Sequence, residues 1–295
     1  MSSATETAAS TGPVRAPART ATRPARKGNA LRRFVLPFVV PVIVLAIWEY
    51  VGREQLLADG LFPAASTCVM ALLDWLFGWQ VSDAFTPSAI YSGTWLVHMG
   101  ASVFRILIGY GIGSLLAIAL GLLSGASSIG RSLVDPTVSA IRPISVTGWI
   151  PLALLLFGIG DSPAIFLTAL ATFFPVYVNT VSGVRLADAN LVRAAAMLGA
   201  SKRKILIRVT LPAASPSIVT GLRVASGIAW TTVVVAEILG AKSGLGYVLI
   251  DSYNQFRLDY VIAAMISLGA CGYLTDRLVQ WVFADSLRWS VRGDS

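Results

Sequence analysis

A chain of 295 residues with 55% hydrophobic side chains, only 13% charged ones and a mean hydropathy of +0.72 is no water-soluble globular domain; in those about a quarter of residues are charged. Its net charge of +8 does not indicate nucleic acid, because the cations cluster in a few polar segments with no aromatic stacking platform beside them. One histidine, His98, and two distant cysteines, Cys68 and Cys271, exclude a His-based metal cluster or catalytic triad within the chain and allow no disulfide framework to be inferred.

The chain opens on a tail, residues 1–33, rich in Ala, Thr, Pro and Arg and without apolar periodicity up to about Ala30, the composition of a disordered segment. About six apolar runs then follow, each close to the roughly 20 residues that a helix needs to cross hydrocarbon. They are Phe34 to Val51, Val103 to Leu123, Thr137 to Ile159, Ala164 to Val184, Pro216 to Leu239 and Val261 to Phe283. Helices are expected throughout, since backbone groups in lipid must be satisfied within the segment and the alternation of a barrel strand is absent. The run from Phe34 is longer than a signal h-region and has no small-residue cleavage site directly after it, so it is expected to be a retained span. The third run holds both Pro143 and Pro151, whose freed carbonyls are expected to face protein or water.

Lys and Arg in short loops stay on the cytoplasmic side. Arg15, Arg19, Arg23, Arg26, Lys27, Arg32 and Arg33 place the N-terminus there, and Arg185, Arg193, Lys202, Arg203, Lys204 and Arg208 place the loop after the fourth run there. Glu54, Asp59, Asp74 and Asp83, against Arg53, suit the outer side, and an even number of spans returns Arg288 and Arg292 to the cytoplasm. The second run carries small residues at intervals of four, Gly109, Gly113, Ala117, Gly121 and Gly125, a stripe that lets another helix approach closely.

The most informative segment is Leu191 to Pro212, LVRAAAMLGASKRKILIRVTLP. Ala187 to Leu198 reads as a helix of strong helix formers, Gly199 as a left-handed terminator, and Lys202 to Val209 as a second, basic helix. Small side chains leave a surface that another protein can approach; a passive interfacial hairpin is the alternative. No G-x-x-x-x-G-K-[ST] loop is present, since Ala241 stands where the second glycine would precede Lys242 and Ser243.

This segment resembles the EAA loop, E-A-A-x3-G-x9-I-x-L-P, of permease subunits of ATP-binding cassette importers. Ala194, Ala195, Gly199, Val209, Leu211 and Pro212 fit its spacing, while Arg193 stands where the family has an acid. The resemblance runs from about Trp95 to Trp289 and is closest to the sulfonate, nitrate, taurine and bicarbonate branch, through Ile150–Phe166, Phe173–Val184, Leu211–Arg223 and Val235–Tyr247. It implies an all-α, polytopic membrane helix bundle of about six transmembrane helices with a cytoplasmic coupling helix, the type I importer permease fold. The expected division is a basic tail at 1–33, a first span and outer connection at 34–94, a permease core at 95–289 with its coupling loop at 185–212, and a C-terminal tail at 290–295.

The resemblance also implies partners: a second copy of the chain, two ATP-binding subunits on the cytoplasmic side that hold ATP and Mg, and an external solute-binding protein. The chain itself would carry no cofactor, no metal and no ATPase site, would sit in the bilayer of a bacterial inner membrane with both termini cytoplasmic, and would bind no nucleic acid. Its cargo would be a small anion. Docking to the ATPase would fall to Arg193, Ala194, Ala195, Ala196, Gly199 and Ala200.

Candidates for the translocation path are Arg142, Ser145, Thr147, Trp149, Asn179 and Glu237. Arg142 either attracts the anion or snorkels to the interface; Glu237 is either a latch with a polar partner or an interfacial carboxylate. Asn179, with Thr231 and Thr232, also suits hydrogen bonding between helices. An ion-coupled secondary transporter is the alternative class, but carboxylates are scarce in the runs. A membrane enzyme would need a convergent catalytic set, and none is visible.

Overall fold

A computed structural model describes residues 30–56, 61–78 and 91–287. Most of the N-terminal tail, Asp59, Asp83 and the end of the chain with Arg288 and Arg292 lie outside the described residues. The chain divides into two compact units, Met1–Ile47 and Trp48–Ser295. In the first, helix α1 (Ala30–Arg53) begins, and its described side chains from Val39 to Ile47 are all exposed and apolar or proline, as lipid contact requires.

In the second unit α1 ends against α2 (Ala65–Phe77), an apolar helix of 13 residues, too short to cross a bilayer. The Glu49 carboxylate accepts the Ser66 backbone N–H at 2.9 Å and its hydroxyl at 2.8 Å, so a side chain from the preceding helix caps α2. Such short apolar helices give little sequence signal; neither α2 nor α10 (Leu245–Asn254) is anticipated by the apolar runs.

Three long helices form the centre: α3 (Trp95–Ala126), α6 (Asp161–Leu186) and α9 (Leu211–Gly240), with α6 packed between the other two. The small-residue stripe of α3 is what brings α6 in. A Cβ on Gly109 would lie 2.8 Å from the Thr168 Cβ, one on Gly121 2.8 Å from the Thr180 Cβ, and one on Gly125 2.7 Å from the Val184 Cβ. On the other side of α6, Gly183 meets Ala214 and Ser217, and Gly221 meets Asn179, so both seams rest on missing side chains. Gly113→Ala drives a methyl group into the Thr172 hydroxyl and the Ala169 carbonyl and is expected to cost about 1–3 kcal/mol. Gly111→Ala, on the open face of the same helix, is expected to be neutral; thermal unfolding of the two variants in detergent separates them.

The third apolar run is not one helix. Helix α4 (Ser128–Ile141) gives way at Arg142–Ser145 to a 3-10 turn, Val146–Trp149, which continues as α5 (Ile150–Phe157), and the two parts are bent by 88°. Pro143 lies in the break, whereas Pro151 sits in the first turn of α5, where a missing N–H costs nothing. Gly158, at φ +73, and Gly160, at φ +145, then turn the chain into α6.

Helix α7 (Ala189–Met197) follows α6, and α8 (Lys202–Ile205) passes through a π turn, Leu206–Thr210, directly into α9. The expected second helix and fifth span are therefore a single rod, Lys202–Gly240, of 39 residues. On the far side, α10 and α11 (Leu258–Leu287) pack against α9, and α11 also packs against α2. One core, with Trp75, Ile106, Leu167, Trp230, Val233 and Tyr260, fills the end remote from α7; a second, with Ala117, Val176, Tyr177, Ala214 and Leu222, fills the end near it. Among the described residues four helices are long and apolar enough to cross a membrane, or five if the bent pair is one span. The remaining apolar run falls in α1, whose side chains before Val39 lie outside the described residues.

Candidate coupling hairpin and path

Asp188 opens the hairpin: its carboxylate accepts the Asn190 N–H at 2.7 Å and caps α7. No residue of α7 is buried, and the helix leans chiefly on α8 and the π turn. Leu198, Gly199 and Ala200 return their N–H groups to the carbonyls of Ala194, Ala196 and Ala195, a tight helix end that sets Gly199 at φ +79. The Ser201 hydroxyl, accepting the Lys204 N–H at 3.4 Å, then starts α8.

Around this turn Arg193, Ala194, Ala196 and Gly199 are exposed, and Ala195 and Ala200 are half-buried. The largest apolar groups at the tip are Met197, 87% exposed, and Leu198, 88% exposed. The alanine pattern does not point to either, although a Met-Leu pair preceding a glycine turn in a basic segment is itself a visible signal. Arg193 folds back on its own helix, donating to the Ala189 carbonyl at 3.2 Å and the Asn190 side-chain oxygen at 2.8 Å. Its charge is directed at the first turn of α7 rather than outward.

Of the path candidates, Ser145 and Thr147 come together, with hydroxyls 2.8 Å apart at the bend between α4 and α5. Thr147 also lines a cavity of about 230 Å³ with Val146, Ile150, Thr231, Thr232 and Val235. Arg142 is exposed at the end of α4 and is not among the residues lining that cavity. Trp149 is half-buried, with its indole N–H enclosed. Asn179 lies in the α6–α9 seam, where its amide donates to the Pro175 carbonyl at 2.8 Å.

Glu237 is fully buried near the far end of α9, and its partner is Arg105 of α3, itself 1% exposed. The Arg105 Nη1 donates to Glu237 at 2.6 Å and to the Ser243 carbonyl at 2.7 Å, its Nη2 donates to the Ser243 hydroxyl at 3.0 Å, and its Nε donates to Asp161 at 2.8 Å. Glu237 accepts in addition from the Ser102 hydroxyl at 2.7 Å and the Gly246 N–H at 2.9 Å. A planar guanidinium with several fixed donors suits this task of binding two carboxylates and a turn at once.

One side chain thus joins α3, the start of α6, the end of α9 and the turn 241–244. Gly244, at φ +122, lies directly over the Glu237 carboxylate, where any Cβ would collide. Ser243, which gives the segment its superficial likeness to a phosphate loop, spends its carbonyl and hydroxyl on Arg105. His98 closes the cap: its Nδ1 accepts the Gly244 N–H at 3.2 Å and its ring stacks on Tyr247. Arg105 lies inside the second apolar run and is absent from the sequence-based path candidates, although an arginine between Phe104 and Ile106 is costly enough in lipid, about 2.5–3.5 kcal/mol, to announce a partner.

A polytopic helix bundle with tight glycine seams, a broken span beside a polar-edged cavity and an exposed hairpin continuous with a span is the build of a membrane permease. The sequence pattern of the family described as the binding-protein-dependent transport system inner membrane component matches residues 109–285. A taurine transport system permease protein of Escherichia coli is 31% identical over 245 residues, covering 83% of this chain and 86% of that one. A bicarbonate transport system permease protein of Synechococcus elongatus is 36% identical over 193 residues, 65% of this chain and 68% of that one. An Escherichia coli permease provisionally named for aliphatic sulfonates transport is 36% identical over 256 residues, 87% and 92% of the two chains. A solved structure titled as inward facing conformations of the MetNI methionine ABC transporter gives a TM-score of 0.47 at 18% identity, covering 62% of this chain and 95% of that one.

The chain belongs to this family of ABC importer permeases, in the sulfonate, taurine and bicarbonate branch. It is a multi-pass membrane subunit, and ATP hydrolysis in the family is the work of a separate subunit.

Proposed function

We propose that two copies of this chain form the translocation path of an ATP-driven importer for a small anion. An external binding protein delivers the cargo, and two ATPase subunits grip the hairpin between Asp188 and Ser201. The observation that carries this reading is the hairpin itself: exposed alanines and a glycine flanked by Met197 and Leu198, all attached to a rod of 39 residues. About 20 residues suffice to cross hydrocarbon, so the hairpin end of the rod has length to stand clear of the bilayer even when tilted. The basic residues around it favour the cytoplasmic side for that end, and on this reading the chain sits in a bacterial inner membrane with both termini on that side.

Closure of the ATPases around ATP would draw the two hairpins together and open the path to the outside; hydrolysis would reset it. Each ligand must favour one of the two states, or nothing shifts. The relatives named for taurine, bicarbonate and aliphatic sulfonates support an anionic cargo of a few heavy atoms. Ser145, Thr147, Thr231 and Thr232 would offer it hydroxyls and Arg142 a nearby positive charge. Asn179 and Glu237, held in helix seams, would position the walls.

The test is reconstitution. Liposomes carrying this chain and a candidate ATPase, with ATP inside and a binding protein loaded with taurine, an alkanesulfonate or bicarbonate outside, should accumulate one of these probes and hydrolyse ATP several-fold faster than without the loaded protein. Uptake by the chain alone, driven by an ion gradient, would replace this reading with a secondary transporter.

A further inference from the structure

Outside the hairpin, the cavity and the Arg105 cluster, Asp135 is a charged group held by side chains from two neighbouring helices. Asp135, in the middle of α4, accepts hydrogen bonds from the Ser124 hydroxyl of α3 and the Tyr177 hydroxyl of α6, and an ion pair from Arg185 of α6 at 2.8 Å. Ser124 and Tyr177 are buried, whereas Asp135 and Arg185 are partly open, with side chains 29% and 44% exposed. Arg185 is the penultimate residue of α6, immediately before the chain enters the hairpin.

The surroundings of this contact are uneven. On its hairpin side α4 is pressed onto α3: the two helices join through Ser127 alone, and Gly130 lies so close that a Cβ would strike the Leu123 carbonyl. On the opposite side, toward the middle of the bundle, α4 and α6 part. Val134, Thr137 and Ile141 of α4 face Leu170, Phe173 and Phe174 of α6 across an open apolar groove of about 340 Å³. Beyond the groove comes the 88° bend that carries Ser145 and Thr147. The polar contact therefore ties α4 to α6 beside the hairpin, next to Val138, which joins the neighbouring core, and the open groove lies along α4 between Val134 and Ile141.

We infer that Asp135 is the positioning residue through which the hairpin controls the path: Arg185 and Tyr177 hold α4 to α6 at a pivot, and α4 swings across the groove to move the Ser145–Thr147 bend. The inference rests on the transport reading above. Asp135 is not among the residues lining the cavity beside Thr147, so it would act through α4 and not on the cargo itself. A packed apolar surface can take up two discrete arrangements if volume is available, and a charge-assisted contact with several donors holds position while the rest of the helix rotates about it.

The test uses the complete complex of permease, ATPase and binding protein. Cysteines placed at Thr137 and Phe173, on the two walls of the groove, are cross-linked with a short bismaleimide with and without ATP; Cys68 and Cys271 are buried and serve as the silent background. With the native aspartate, the yield should differ roughly threefold between the two nucleotide states. In D135A the difference should vanish and uptake per ATP hydrolysed should fall about tenfold, with ATP hydrolysis itself retained. D135N, which keeps the Oδ1 acceptor for both hydroxyls and loses the charge and the acceptor facing Arg185, and R185Q should both fall between, which keeps the inference testable if D135A does not fold. Loss of uptake and of hydrolysis in equal proportion to folded protein in all three variants would make Asp135 a purely structural contact and overturn the inference. So would a native complex that transports while its cross-link ignores nucleotide. A chain that binds no ATPase overturns the transport reading first, and this inference with it.

Discussion

Arg105→Ala is expected to cost about 3–5 kcal/mol of stability, a large part of what holds a domain of this size together. The cost arises because truncation leaves Glu237, which is fully buried, without its cation, and leaves the Ser243 carbonyl and hydroxyl without a donor. Desolvating a carboxylate is tolerable only while charge-assisted hydrogen bonds replace water, and here Ser102 and the Gly246 N–H supply only part of that replacement. Arg105→Lys should lose about half as much, since an ammonium keeps the charge but cannot span Asp161, Glu237 and Ser243 together. Glu237→Gln should cost less than Arg105→Ala, because Arg105 keeps Asp161 as a counter-ion and the amide oxygen can still accept, but its NH2 then faces a donor where the second carboxylate oxygen accepted. Denaturant unfolding in detergent micelles gives the order. An Arg105→Ala chain as stable as the parent would show that the cluster contributes packing and no electrostatic support.

The same cluster shows where sequence reading stops. Apolar runs of about 20 residues are visible because hydrocarbon thickness dictates them, and the glycine stripe of α3 is visible because helical periodicity does. The hairpin was legible for a related reason: the alanines and Gly199 are local signals that act within a few residues of one another, whereas the caps at Asp188 and Ser201 are evident only in the structure. The pairing of Arg105 with Glu237, 132 residues away, has no periodicity and no local signature. The contacts of Asp135 with Tyr177 and Arg185 are of the same kind, made between helices whose relative placement only the fold determines.

The broken span is an intermediate case. Its prolines suggested irregularity, but only Pro143 stands in the break, while Pro151 begins a helix it does not disturb. The position of the bend depends on what α4 and α5 pack against, and that is not written in the segment. Thr147 reaches a cavity, yet Asn179 and Glu237, equally plausible as polar groups in apolar runs, are spent on the seams between helices.

Gly199→Val should separate ATP hydrolysis from uptake while leaving the bundle folded. At φ +79 the residue lies in the left-handed region, where a β-branched side chain costs about 1–2 kcal/mol, and no heavy atom lies within 4 Å of the position a Cβ would take. The penalty is therefore conformational and not steric, and the turn can relieve it only by moving. Because Gly199 sits between the exposed Met197–Leu198 tip and the start of the rod that becomes α9, such a move redirects the tip relative to the span. The long helices contain no part of the turn, so membrane insertion and thermal stability should change by little. Gly199→Asn is the control, since asparagine tolerates the left-handed region and should keep most uptake. In reconstituted complexes the valine variant should transport about tenfold less per ATP hydrolysed than the asparagine one. Equal transport by the two would mean that the conformation of this turn does not matter to coupling, and the hairpin would lose its place at the centre of the mechanism.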